Sequence, residues 1–104
     1  MLAAIATEQA GPEALVPETL AEAKYLQIIE LEDGTVSAVL PLTGEESAVR
    51  ALLERGCRAL ITGQISSGPR ELLRRQDVLC FDGYLYQAQQ VRRLLYTGVL
   101  PGIK

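Results

Sequence analysis

The sequence predicts an α/β domain of three layers, α/β/α, with helices on both faces of a mixed five-stranded sheet in the order 3-2-1-4-5. Two observations support this fold. Residues 1–42 contain three apolar segments without a long helix between them, and from residue 43 onward amphipathic helical segments alternate with short apolar runs. Strands joined through helices run parallel, whereas a tight turn reverses the chain. Strand 2 is therefore predicted to be antiparallel to the other four.

The first strand and the segment after it differ sharply in composition. Leu2 to Thr7 carries small apolar side chains, which suit a central strand buried on both faces. Residues 8–23 follow, and Pro12 and Pro17 forbid one continuous helix there. A short helical turn fits Glu18 to Ala23. A connection of this length in so small a domain is usually functional or mobile.

The second and third strands form a predicted hairpin. Lys24 to Glu32 is a strong strand segment, and Val36 to Leu42 returns as the third strand. Gly34 lies in the turn between them, where a positive φ is needed. Because Pro41 cannot donate a hydrogen bond to a neighbouring strand, the third strand is predicted at the edge of the sheet.

The first long helix and the fourth strand follow. Thr43 and Glu46 have the spacing of a capping box at a helix start, and Gly56 is placed as the residue just beyond the helix end. Arg58 to Thr62 is the fourth strand.

The remaining elements are a helix, a strand and a helix. Gly68-Pro69 is predicted to open a helix that runs to about Gln76, with the proline at the first helical position. Val78 to Phe81 is the fifth strand. Asp82 is predicted to cap the last helix, which Gly98 and Pro101 end. The predicted buried face of that helix consists of Tyr84, Ala88, Val91 and Leu95.

Length and composition limit the classes of protein. The 104 residues are expected to form a single domain, 1–104, and the net charge of −3 argues against nucleic acid as the main partner. No apolar run approaches the length of a membrane span, and the N-terminus lacks the basic segment of a signal peptide. We therefore expect a cytoplasmic protein without membrane contact. It is expected to be a monomer or a weak homodimer.

The predicted topology places a candidate binding site at one edge of the sheet. In open α/β sheets, ligands bind outside the carboxyl ends of the strands. Gly63 to Ser67 follows the fourth strand, and Asp82-Gly83 follows the fifth. Backbone N–H groups at the helix start after Ser66 and Ser67, with Arg70 nearby, could bind an anion instead, or the serines could simply cap the helix.

The two cysteines are weak candidates for metal ligands. Thiolates suit iron and related soft metals, but Cys57 enters the fourth strand while Cys80 lies within the fifth. Strand spacing puts them about 8–12 Å apart, too far for a disulfide. Two reduced, buried thiols are the simpler interpretation. If one cysteine is functional, Cys80 is favoured, because it is nearer the predicted ligand edge.

Enzyme activity is not expected. The sequence contains no histidine, which removes the commonest general base. A ribonuclease-H-like nuclease needs clustered carboxylates with one on the first strand, and Leu2 to Thr7 contains none.

The chain resembles the dinitrogenase iron–molybdenum cofactor biosynthesis family along nearly its whole length. The segments that carry the resemblance are Leu2 to Thr7, Ala23 to Gly34, Ala59 to Ile65 followed by Gly68-Pro69, and Leu94 to Gly98. The resemblance implies a ribonuclease-H-like fold, which agrees with the predicted topology. It also implies a small accessory or carrier protein of nitrogenase cofactor assembly, related to nitrogen fixation, whose partners are a metallocluster or other assembly proteins.

The resemblance also implies a binding site for an iron–sulfur or iron–molybdenum cluster at the carboxyl edge. The expected cofactor-binding residues are Thr7, Thr19, Gly63, Gln64, Ser66, Ser67, Cys80, Asp82 and Gly83, without an assigned metal ligand. The family histidine before the second strand is replaced by the Thr19-Leu20-Ala21 stretch, and Gln64 stands where the family has a second glycine. Two functions therefore remain open: a cluster carrier, or a module that kept the fold, lost the cofactor and binds proteins.

Overall fold

The computed structural model describes residues 1–97, and within them the chain forms the expected elements in the expected order. These are β1 (Leu2–Thr7), a 3₁₀ turn (Leu20–Glu22), β2 (Tyr25–Glu30), β3 (Val36–Pro41), α1 (Glu45–Glu54), β4 (Ala59–Thr62), α2 (Ser67–Arg75), β5 (Leu79–Asp82) and α3 (Ala88–Thr97). Gly98 and Pro101, which are predicted to end the last helix, lie outside the described residues.

The sheet has the predicted order, β3-β2-β1-β4-β5. In β1, Ala4 lies opposite Ile28 of antiparallel β2 and opposite Leu60 of parallel β4. The β2–β3 pair is also antiparallel and the β4–β5 pair is parallel, so β2 alone runs against the other strands. Pro41 ends β3 at the edge of the sheet, where its missing N–H costs no ladder bond. The predicted fold is confirmed.

Apolar clusters cover both faces of the sheet. On one face, Leu52 of α1 and Leu73 of α2 pack with Leu60 of β4. On the other face, Val91 of α3 packs with Ile5 and other strand residues. The central strands β1 and β4 are consequently buried on both sides, as their unbroken apolar sequences predict.

The start of α1 differs from the prediction. Its N-cap is Gly44, at φ +130° and without a side-chain cap, so the capping box on Thr43 is wrong. Only glycine adopts this backbone conformation readily, and it lets the chain turn into the helix one residue later. The Glu45 carboxylate instead accepts bonds from the backbone N–H (2.9 Å) and hydroxyl (2.6 Å) of Ser66.

Two further helix starts also differ. The second helix begins at Ser67, so Pro69 is its third residue; proline is tolerated there because the first four N–H groups of a helix have no helical partner. The Asp82 carboxylate does not cap α3. It accepts a bond from the Tyr84 N–H (3.0 Å) in a turn that precedes the helix by several residues. Tyr84 lies in that turn, 43% exposed, so its predicted place in the core is wrong.

Candidate functional site

Residues 8–23 fold back over the carboxyl edge and pair with the turn after β5. The N–H of Val16 donates to the carbonyl of Tyr86 (3.0 Å), and the N–H of Leu85 donates to the carbonyl of Val16 (3.1 Å). At the start of α3, the N–H of Ala88 donates to the carbonyl of Ala14 (2.8 Å). The long segment is thus held by backbone hydrogen bonds to the loop at the end of the sheet.

The same segment also pairs with the loop after β4. Thr19 and Gln64 form an isolated parallel bridge. The N–H of Gln64 donates to the carbonyl of Glu18 (2.7 Å), and the N–H of Leu20 donates to the carbonyl of Gln64 (2.8 Å). The backbone N–H and carbonyl groups of Gln64 are therefore both hydrogen-bonded within the chain.

The two glycines of the predicted site are needed for internal packing. A Cβ atom on Gly63 would overlap the backbone of Pro17 and Glu18. A Cβ atom on Gly83 would overlap the Cγ2 methyl of Ile61 in the core. Both glycines thus allow a close approach by the protein's own residues, which accounts for them without a ligand.

A cleft of about 290 Å³ opens at this edge and is lined by Glu18, Gly63, Gln64, Asp82 and Tyr84. Three of these, Gly63, Gln64 and Asp82, were predicted site residues, and the structure brings them together. Glu18 is not among the predicted site residues, and Tyr84 is predicted to lie in the core, so the sequence missed both. Two of the five lining residues carry carboxylates and none of them is basic, which makes the cleft negative.

The other predicted site residues are engaged elsewhere or exposed. Thr7 is fully buried; its hydroxyl donates to the Gln9 carbonyl (2.6 Å) and accepts from the Gln27 amide (3.4 Å). The Thr19 hydroxyl donates to the Glu22 carboxylate (2.9 Å). Ser67, the first residue of α2, is exposed. None of these three residues lines the cleft.

The alternative prediction, that the start of α2 binds an anion, is weakened by a carboxylate of the protein itself. Both the N–H and the hydroxyl of Ser66 donate to Glu45. A negative group of the protein therefore already occupies two of the donors expected to bind an external anion. Arg70 lies in the first turn of the helix and is exposed.

One buried polar group at this edge was not singled out from the sequence. Thr62 is fully buried and lies opposite Asp82 in the β4–β5 register. Within the described part of the chain, its hydroxyl is the one buried side-chain polar atom without a hydrogen-bond partner. The sequence does contain a signal for it, because Thr62 is a polar residue that ends an otherwise apolar strand.

Both cysteines are reduced, as predicted. Cys57 is 3% exposed in the apolar cluster under α1 and α2, and Cys80 is half-buried against the same cluster. Cys80 lies opposite Leu60 of β4, three residues beyond Cys57. Burial raises the pKa of both thiols, although the nearby Arg70 opposes the rise at Cys80. Cys80 does not line the cleft, so the structure separates it from the other predicted site residues.

These surroundings predict slow and unequal alkylation of the two thiols. Because the raised pKa leaves little thiolate near neutral pH, we expect both cysteines to react more slowly with iodoacetamide than a free thiol does. Cys80 should react before Cys57, and both rates should rise with pH. Mass spectrometry of peptides from the folded protein measures this order, with the unfolded protein as the control. Rapid modification of Cys57 in the folded protein would contradict the described burial.

Two kinds of feature are absent from the described residues. No helix within residues 1–97 is long and apolar enough to cross a membrane. No group of three or more His, Cys, Asp or Glu side chains in the same part of the chain is arranged to hold a metal ion.

Comparison with known proteins identifies both a family and a fold. A family model described as dinitrogenase iron-molybdenum cofactor matches residues 1–98. A search of curated protein sequences found no match.

Solved structures that share the fold include the following three. The apo form of the orange protein from Desulfovibrio gigas has a TM-score of 0.83 at 15% identity, covering 98% of this chain and 92% of the other. A candidate NifB protein from Thermotoga has a TM-score of 0.80 at 22% identity, covering 97% and 91%. A candidate dinitrogenase from Methanocaldococcus jannaschii has a TM-score of 0.72 at 15% identity, covering 97% and 94%. Because these identities are low, the similarity to the three structures shows a shared fold and nothing more specific.

Proposed function

The chain belongs to the dinitrogenase iron–molybdenum cofactor family, and on that premise we propose that it is a non-catalytic accessory protein that binds another protein through the carboxyl edge of its sheet. It does so without holding a metal cluster on its own side chains. The observation that carries this proposal is the chemistry of the cleft, whose polar side chains are two carboxylates, an amide and a phenol.

These groups do not fit an iron–sulfur or iron–molybdenum cluster. Such clusters are held mainly by thiolates, with histidine as the usual alternative. The sequence has no histidine, and Cys80, the cysteine nearer the edge, packs against the core cluster. The carboxylates of Glu18 and Asp82 would also repel a cluster that carries net negative charge.

Protein binding is supported by exposed apolar side chains beside the cleft. Tyr84, Leu85 and Tyr86 are 43%, 60% and 38% exposed, and Leu15, which neighbours them through the backbone pairing, is 39% exposed. Adjacent exposed apolar groups of this kind mark interaction surfaces. Because acidic residues border them in the cleft, the expected partner presents an apolar centre with a basic rim.

The backbone at Leu85 is consistent with a constrained recognition loop. Leu85 has a φ of +71°, a conformation that non-glycine residues adopt at a cost of about 1–3 kcal/mol. The hydrogen bond from its N–H to Val16 helps hold this conformation, and the side chain is left exposed. Residues with strained backbones cluster at active sites and ligand clamps.

Photo-crosslinking tests protein binding directly. A photoreactive amino acid at position 85 is expected to crosslink a discrete protein in extract of the source cells. The same amino acid at position 79 is the control, because Leu79 is 64% exposed but lies on β5. The crosslinked protein is then purified and titrated, and Leu85→Ser should weaken its binding at least about tenfold. Identical or no products from the two positions would overturn the proposal.

Cluster carriage is the second candidate function. The cleft unites Gly63, Gln64 and Asp82, and the unpartnered hydroxyl of Thr62 lies opposite Asp82 in the register. Anaerobic incubation with iron, sulfide and molybdate, followed by desalting and metal analysis, decides between the candidates. We expect no retained metal in the wild type. Stoichiometric metal with a visible absorption band, lost in Cys80→Ala or Asp82→Ala, would establish carriage and refute the proposed cluster-free mode.

A further inference from the structure

A groove between α1 and α2 lies apart from the cleft, on the outer side of the helices that cover one face of the sheet. Its volume is about 590 Å³. The apolar part of its lining consists of Val49 and Leu53 from α1 and Pro69 and Leu72 from α2. Leu72 is 42% exposed, although the next residue, Leu73, is fully buried. Exposed apolar surfaces of this kind mark sites of interaction, because a partner that covers the groove removes its apolar side chains from water.

The charges along the groove have a definite order on each helix. On α1, Glu46, Arg50 and Glu54 line the groove at intervals of four residues, so acidic, basic and acidic groups follow one another along one helix face. On α2, Glu71 and Arg75 lie three to four residues beyond the lining residues Gly68 and Leu72. Their side chains are 44% and 71% exposed.

The two helices run in the same direction. Each leaves the carboxyl end of one strand and ends before the amino end of the next, since β3, β4 and β5 are parallel to β1. A two-fold axis that runs parallel to the helices, between two such helical layers, would therefore place α1 of one molecule opposite and parallel to α2 of another. The contact is self-complementary only if the charges match in the same order along the two helices.

They do match in that order. Glu54 would face the partner's Arg75, and Arg50 would face the partner's Glu71. Glu46 would face the start of the partner's α2, where the helix dipole places partial positive charge. We propose that the α1–α2 groove binds a second copy of this chain in a two-fold dimer. The apolar side chains of the two grooves, Leu72 above all, meet near the axis and are removed from water.

A second copy suits the groove better than an unrelated partner because the complementarity comes from one surface. The spacing of 46, 50 and 54 on α1 matches that of 68, 71 and 75 on α2 to within one residue. The dimer leaves the carboxyl edge free, so this inference is independent of the proposed function. It also differs from pairing through the exposed edge of β3, the other contact that a two-fold dimer could use.

Sedimentation velocity over micromolar to millimolar concentrations tests the dimer. The wild type is expected to show a monomer–dimer equilibrium, and Leu72→Asn should raise its dissociation constant at least about tenfold. Leu79→Asn is the matched control and should leave the constant unchanged, because Leu79 is more exposed than Leu72 but lies on β5, outside the groove. Both positions are at the surface, so circular dichroism should show folded variants. A wild type that stays monomeric throughout overturns the proposal.

Charge exchange then tests the geometry. Glu54→Arg and Arg75→Glu should each weaken the dimer, and the double variant should recover most of the affinity, because each copy again meets an opposite charge. The pair of Arg75 with Glu71 in the same chain is long (3.4 Å) and exposed, so its loss has little effect on stability. A dimer that responds neither to Leu72→Asn nor to charge exchange uses another surface, and the proposed interface would be refuted.

Discussion

Replacement of Gly63 by alanine is expected to lower the free energy of unfolding by about 3 kcal/mol, near the upper end of the usual cost of overpacking. The added methyl group would overlap the backbone of Pro17 and Glu18, and backbone atoms cannot rotate away as a side chain can. Residues 17–20 must therefore move from β4, which breaks the hydrogen bonds between Gln64 and this segment. Urea unfolding measures the change in free energy.

Gly11→Ala is the control for Gly63→Ala. Gly11 lies in the long loop, and a Cβ atom there meets nothing within 4 Å. Its carbonyl keeps the bond from the Gln27 amide, because on the Gly11 side that bond involves the backbone only. We expect stability close to that of the wild type. If Gly63→Ala were equally harmless, the long segment would not pack on β4 as described.

Gly83→Ala is expected to destabilise the protein by about 2 kcal/mol, because its methyl group would overlap the Cγ2 atom of Ile61. Ile61 is fully buried between β1 and β5, so it has little room to move. Val16 and Val91 lie at ordinary contact distances of 3.6 and 3.7 Å from the added atom. The overlap is thus confined to one side chain, which makes the prediction testable by removing that side chain.

A double-mutant cycle with Ile61→Ala provides that test. The single Ile61→Ala change should cost about 2–5 kcal/mol through the cavity it leaves. In the double variant the methyl group added at position 83 enters this cavity, so the combined cost should fall short of the sum of the two single costs by at least about 1 kcal/mol. A double variant whose cost equals that sum would show that Gly83 is needed for another reason.

The sequence alone determined the sheet order and the layers. Unbroken apolar runs at Leu2–Thr7 and Ala59–Thr62 specify central strands, because a strand buried on both faces has no polar side to present. Pro41 specifies an edge, and Gly34 and Gly56 have the positive φ values that the predicted turn and helix end require. These features follow from local chemistry, and their order along the chain left few topologies open.

Local patterns at two helix starts named the wrong cap. The Thr43 capping box was a sound local pattern, but the chain enters α1 through Gly44 at φ +130°, and Glu45 in the first turn hydrogen-bonds to Ser66, which lies 21 residues away. Asp82 was a sound helix cap, but its carboxylate accepts from the N–H of Tyr84 in a turn, and α3 begins farther along the chain. A capping pattern shows that a side chain can accept a backbone hydrogen bond, whereas the tertiary structure decides which N–H group lies within reach.

Tertiary structure alone decided the nature of the candidate site. The sequence located the carboxyl edge and named Gly63, Gln64 and Asp82, but Gly63 and Gly83 are explained by the residues packed onto them from other elements. Glu18 joined the cleft only because its segment crosses to β4, and Tyr84 because it lies in an exposed turn. Strand patterns depend on the side chains of one segment, whereas a cleft depends on how several segments approach one another, and the sequence records that approach only indirectly.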